Sequence, residues 1–153
     1  MIQSNLLNFR GNYLIISCSQ RKKDHPVMRA IDLYEGQAFK MVRKFLDEYP
    51  GIRLHVDVLS ARYGLVDALE ISDEDDPFEP YDLVMDSTRA ENWRSIIDRC
   101  VEKKFYLEGN SFFYGSDLYY HVLPFEIPHS HGPIGEQLHQ LREWLESLKE
   151  ALR

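Results

Sequence analysis

Several classes of protein are excluded by what this 153-residue chain lacks. It has two cysteines, Cys18 and Cys100, in unlike contexts. That is too few to staple a small secreted fold, and it predicts a reduced, cytoplasmic protein. Long apolar runs are missing. The run from Tyr13 to Ile16 falls far short of the roughly 20 residues that cross a membrane, so no membrane partner is expected. Met1 to Asn12 carry charge only at Arg10 and have no apolar core, which predicts no export signal. No repeat and no low-complexity linker interrupts the chain.

Cations are scarce relative to acids. Lys plus Arg is 18 against 25 Asp plus Glu, a formal charge of −7. The field of the whole chain repels phosphate, which excludes a sequence-blind nucleic-acid coat but not a local basic site. No Gly-x-x-x-x-Gly-Lys-Ser/Thr loop supports nucleoside triphosphate hydrolysis. The acidic run Glu70 to Glu79 lacks the glycine of a calcium loop and reads as a solvated loop or lid.

What is present is an ordinary globular composition, 44% hydrophobic and 28% charged, of a length suited to one domain spanning residues 1–153. Tyr13 to Ser17 is a short apolar run that fits a buried strand. Phe39, Val42, Phe45 and Leu46 form one helical stripe between Gly36 and Tyr49, closed by Pro50-Gly51. Ile52 to Ser60 alternates as a second strand, and Ser60 to Leu65 reads as a turn carrying Gly64. A capping box at Ser87 or Thr88 with Glu91 starts a helix expected to reach about Lys104. Ser111 to Tyr114 is strand-like, Ser116 or Asp117 caps a short helix to Leu123, and Phe125 to Ile127 suggests a last strand. From Gly135 onward Leu138, Leu141, Leu145, Leu148 and Leu152 stripe a final helix, expected to dock on the sheet. The alternation predicts an α/β fold: a three-layer sandwich with a mainly parallel central sheet and helices on both faces. Ligands of such sheets bind beyond the carboxyl ends of the strands, so the loops after Ser17, after Ser60 and near Gly115 are expected to converge.

Three short constellations lie at those ends. Ser17-Cys18-Ser19, followed by Arg21-Lys22-Lys23, puts a thiol, hydroxyls and cations after the first strand. Cations favour the thiolate and suit an electron-rich ligand; the same stretch also reads as a buried Cys with a solvated basic turn. After the second strand, Arg62 and Tyr63 could bond and stack on a planar base beside the permissive Gly64, or form a plain exit turn. Pro80 stiffens the backbone that carries Tyr81 and Asp82, so this carboxylate could position water or cap a helix. His121, His129 and His131 offer imidazoles, with no spacing signature for a third zinc ligand.

Taken together, Ser17-Cys18-Ser19 with Lys22 or Lys23, Asp32-Leu33-Tyr34-x-Gly36, Ser60-Ala61-x-Tyr63-Gly64-Leu65 and Pro80-Tyr81-Asp82 resemble small bacterial and phage domains of unassigned function. Cys18-x-x-x-Lys22 resembles the signature of the archaeosine synthase core domain, which acts on the nitrile of a 7-deazaguanine base in transfer RNA. The wider pattern, over residues 12–145, is similar to the uracil-DNA-glycosylase-like α/β fold. The resemblance implies an enzyme that excises or modifies a nucleobase, with Cys18, Lys22 and Asp82 as catalytic residues. Ser17, Ser19, Tyr34, Ser60, Arg62, Tyr63, Gly64, Tyr81 and Gly115 would bind the substrate. The expected ligand is a nucleobase or nucleotide-like molecule, with at most a weak, local nucleic-acid contact, no cofactor, no metal, and a monomer or weak dimer. The alternatives are a non-catalytic module of the same fold that binds a nucleotide-like ligand or a protein, and a zinc-dependent hydrolase.

Overall fold

The structure, a computed structural model, describes residues 11–17, 29–34, 36–69 and 85–150. A four-stranded sheet forms its centre, in the order β3-β2-β1-β4. Strand β1 (Asn12–Ser17) pairs in parallel with β2 (Leu54–Ser60) and with β4 (Asn110–Tyr114). It is buried on both sides, which is why its sequence is a continuous apolar run. Leu14 and Ile16 point into one cluster and Tyr13 and Ile15 into the other, as the twofold alternation of a strand requires.

On the first face lie α1 (Ala30–Leu33), α2 (Gln37–Glu48) and α6 (Ile134–Glu150). The α2 stripe buries Phe39, Val42 and Phe45 against Leu14, Ile16, Val56, Val58 and Phe112. Leu141, Leu145 and Leu148 of α6 enter the same cluster, so the leucine stripe docks as expected. The second face carries α3 (Ser87–Cys100), α4 (Lys103–Glu108) and α5 (Asp117–Tyr120). There Ala90, Ile97 and Tyr106 pack on Tyr13, Ile15, Leu59 and Phe113, together with the irregular segment holding Val122, Phe125 and Ile127. This is an α/β fold, and the two clusters make the sheet its middle layer.

Several local expectations need correction, among them the short helix expected to reach Leu123, which is α5 and ends at Tyr120. The turn expected over Ser60 to Leu65 is shorter: Gly64 already starts β3 (Gly64–Asp67), which returns antiparallel along β2. The helix expected to run to Lys104 stops at Cys100, because Val101 and Glu102 are extended, and a separate helix follows. Its N-cap is Asp86, whose carboxylate accepts from the Arg89 N–H at 2.8 Å. Phe125 to Ile127 is buried but forms no strand; instead the chain makes one parallel bridge two residues later, His129 with Phe113. The acidic run 70–79 lies outside the described residues.

Candidate functional site

Parallel pairing fixes where the strand ends meet. Ser17 is in register with Leu59, and Ile16 with Tyr114, so Ser17, Ser60 and Gly115 finish at the same edge of the sheet. Beyond β1 and β4 this edge opens into a cavity of about 450 Å³, within the size range of small-molecule sites. Ser17 and Gly115, both anticipated from the sequence, form part of its lining. They also touch each other: a Cβ on residue 115 would stand 2.4 Å from Ser17 Oγ. Only glycine lets the two strand ends approach this closely.

Helices supply the remaining walls. The first turn of α2, Gly36 to Phe39, forms one side, and Ile134, Gln137 and Leu138 from the first turns of α6 form another. Gly36, the N-cap of α2, makes no side-chain cap bond. The first N–H groups of a helix, at the positive end of its dipole, favour electron-rich groups. Arg43 fixes the approach to this turn, its Nη1 donating to the carbonyls of Ile31 at 2.8 Å and Tyr34 at 2.9 Å. Ser130 fixes the opposite side. Its hydroxyl accepts from the Gly115 N–H at 3.1 Å and lies 3.0 Å from Gln137 Oε1, while Gln137 Nε2 donates to the Gly132 carbonyl at 2.8 Å. These bonds join the end of β4 to the start of α6.

Among the described residues no acid or base lines the cavity. Ser17, Ser116, Gln37, Gln137 and Tyr114 bring hydroxyl, amide and phenol groups to it, and Phe39 backs it from the core. Burial pushes the Tyr114 phenol above its usual range, so it stays protonated and available as a donor at neutral pH.

A family match covers residues 13–143, from β1 into α6. The chain belongs to DUF6884, a family of unknown function. No curated protein and no solved structure matches it. Every lining residue of the cavity falls inside the span that DUF6884 covers.

The other anticipated residues of this DUF6884 chain separate into two groups. Tyr34 is 2% exposed and stacks on Phe39 at 4.9 Å; both rings are buried in the core of the first face, so neither offers a face to a ligand. Ser60 is buried, and its Oγ accepts from the N–H groups of Arg62 and Tyr63, both at 3.1 Å, closing the turn into β3. Gly64 meets the Trp93 ring, and Trp93 Nε1 donates to the Ala61 carbonyl at 2.7 Å. The turn at Arg62 and Tyr63 is therefore held on the α3 side, and its residues do not line the cavity. Cys18, Ser19, Lys22, Tyr81 and Asp82 lie outside the described residues. Among the described residues no group of three His, Cys, Asp or Glu comes together. His129 instead stacks on Tyr120 at 4.0 Å, and its ring stands 6.4 Å from that of His131.

Tyr114, Ser116, Gln37, Ile134 and Gln137 line the cavity without having been expected there from sequence. Gly36 and Pro133, helix-start residues in this chain, were the available signals for two of the walls.

Proposed function

We propose that this chain processes a nucleobase, excising or modifying a modified base held in the cavity at the carboxyl edge of the sheet. The observation that carries the reading is the lining itself: the Tyr114 side chain with amide and hydroxyl groups, and no charge among the described residues, in a space of about 450 Å³. Such a surface suits a flat, neutral heterocycle, stacked on its face and bonded at its edge. Two of the reactive groups would come from the stretch that follows Ser17 directly in the chain. Cys18 and Lys22 would act on an electrophilic carbon, and Asp82 would position water or stabilise a sugar cation.

The uncharged lining also favours a second reading, a module that binds such a ligand without turnover. Both readings expect ligands to raise the melting temperature, because anything bound only to the folded state stabilises it. Screening free bases, nucleosides and 7-deazaguanines by thermal shift tests this shared claim. Ser116→Trp at the rim is expected to abolish the shift without lowering the intrinsic melting temperature. No shift with any of these compounds would overturn both readings. Incubation with modified DNA or transfer RNA, followed by mass analysis of nucleosides, separates the two. Turnover that survives in Cys18→Ala and Lys22→Ala would defeat the catalytic assignment.

A further inference from the structure

A second groove, of about 370 Å³, runs between α2 and α6. It is lined by Lys40 and Lys44 of α2 and by Arg142 and Lys149 of α6, with Glu48 and Glu146. Four cations against two acids make it positive on a chain whose formal charge is −7. Gln37 lines both this groove and the cavity, so the two adjoin at this residue. The helices run in the same direction away from the cavity: residues 37–39 and 137–138 border the cavity, and 40–49 and 142–149 border the groove. From Gln37 to Tyr49 the groove is about 18 Å long at the helical rise.

The four cations are not equivalent. Lys149 is held by Glu146 at 2.7 Å and sits 4.4 Å over the Tyr49 ring, and Lys44 stands 3.8 Å from Glu48. Lys40 and Arg142 have no acidic partner among the described residues. Among the described residues they are the charges that an incoming anion meets without displacing an internal pair.

We propose that this groove carries the phosphate backbone of a single-stranded nucleic acid whose base enters the adjoining cavity. The inference rests on reading that cavity as a nucleobase site, and it makes the substrate a base within a polymer. A concave track of separated cations fits a chain of phosphates, and its junction with a base-sized apolar cavity distinguishes a polynucleotide from an acidic peptide.

The test uses a fluorescent mixed-sequence strand of about a dozen nucleotides, as DNA and as RNA, with anisotropy read over a range of salt. Wild type is expected to bind at least one of them more weakly as salt rises. Lys40→Glu and Arg142→Glu are each expected to weaken binding roughly 3–10-fold at low salt, and each lost phosphate contact to flatten the salt slope by about 0.7. Lys104→Glu, the same charge change on α4, controls for net charge and is expected to alter affinity less than about twofold. Salt-independent or absent binding in wild type, an equal loss in Lys104→Glu, or equal competition by polyglutamate would overturn the proposal. Thermal shift by free bases reads the cavity separately. A shift retained where the strand fails to bind rejects the groove and leaves the cavity reading standing. Strand binding along the groove without any base shift rejects the cavity reading instead.

Discussion

The hydroxyl of Tyr106 on α4 donates to the carboxylate of Asp57 on β2, across 49 positions of sequence. Both groups are buried, and the other Asp57 oxygen bonds His55 Nε2 at 2.9 Å. Burial first, and then the Asp57 charge, hold the Tyr106 phenol far above its usual range, so it serves as a permanent donor. Beside this pair the Tyr13 hydroxyl is buried with no hydrogen-bond partner among the described residues, although the Tyr13 and Tyr106 rings are only 5.5 Å apart.

These neighbouring tyrosines should therefore respond oppositely to loss of the hydroxyl. Tyr106→Phe leaves a buried carboxylate short of a donor and is expected to cost about 1–3 kcal/mol. Tyr13→Phe removes an unsatisfied group and is expected to be neutral or stabilising by about 1 kcal/mol. Urea unfolding of both variants checks this, and equal destabilisation would contradict the bonding pattern.

The same carboxylate gives the fold a pH dependence. His55 has its pKa raised above the ordinary histidine value by the bond to Asp57, opposed by burial and aided by the charges of Asp57 and Asp67. The Tyr13 and Tyr106 rings also face this cluster, and both phenols are held neutral. A raised folded pKa means the stabilisation is complete below the unfolded value, about 6.5, and is lost as pH rises through the folded value. His55 is partly exposed, so screening keeps the effect under about 1 kcal/mol. The stability gap between wild type and His55→Gln should shrink with rising pH, and NMR titration of Asp57→Asn should show the imidazole pKa falling.

Gly64 is set by a neighbouring ring. Its φ is +75°, and an added Cβ would lie 2.5 Å from Trp93. Gly64→Ala is expected to destabilise by about 1–3 kcal/mol through strain and displacement of the indole. Trp93 fluorescence should shift in the folded variant.

Ser130 links stability to the cavity. Ser130→Ala deprives the buried Gly115 N–H of its acceptor and frees Gln137, at an expected cost of about 1–3 kcal/mol. Any ligand found for the cavity should bind this variant more weakly than wild type, measured at a temperature where both are folded.

The parts of the fold that were legible are those where side-chain pattern and backbone pairing agree. The β1 run, the α2 stripe and the α6 leucines each announce a buried face. Strand β3 was hidden because Gly-Leu-Val-Asp is only four residues long and follows a turn closed by Ser60, a residue whose hydroxyl role is invisible in sequence. Lys103 to Glu108 holds no Gly or Pro to mark a boundary, so the break at Val101 left little trace. Phe125 and Ile127 read as a strand because they are buried, yet the backbone of Ile127 bonds the Tyr120 hydroxyl rather than a neighbouring strand. At the site, Ser17 and Gly115 were legible as strand ends. Ile134 and Gln137 were not, because the start of α6 comes back to β1 across well over a hundred positions, guided by packing rather than by any local motif.

The bridge at His129 has a consequence for self-association. β4 is an outer strand carrying Phe112, Phe113 and Tyr114, a sequence well suited to recruiting a foreign strand. Phe113 spends its N–H on the Pro128 carbonyl and its carbonyl on the Ser130 N–H, both at 2.9 Å. Tyr120 pins the approach to that segment through both polar groups of Ile127. The irregular stretch before α6 thus works as a guard rail: while it is latched, this edge offers an incoming chain no free ladder at Phe113, and unlatching it would expose an adhesive margin.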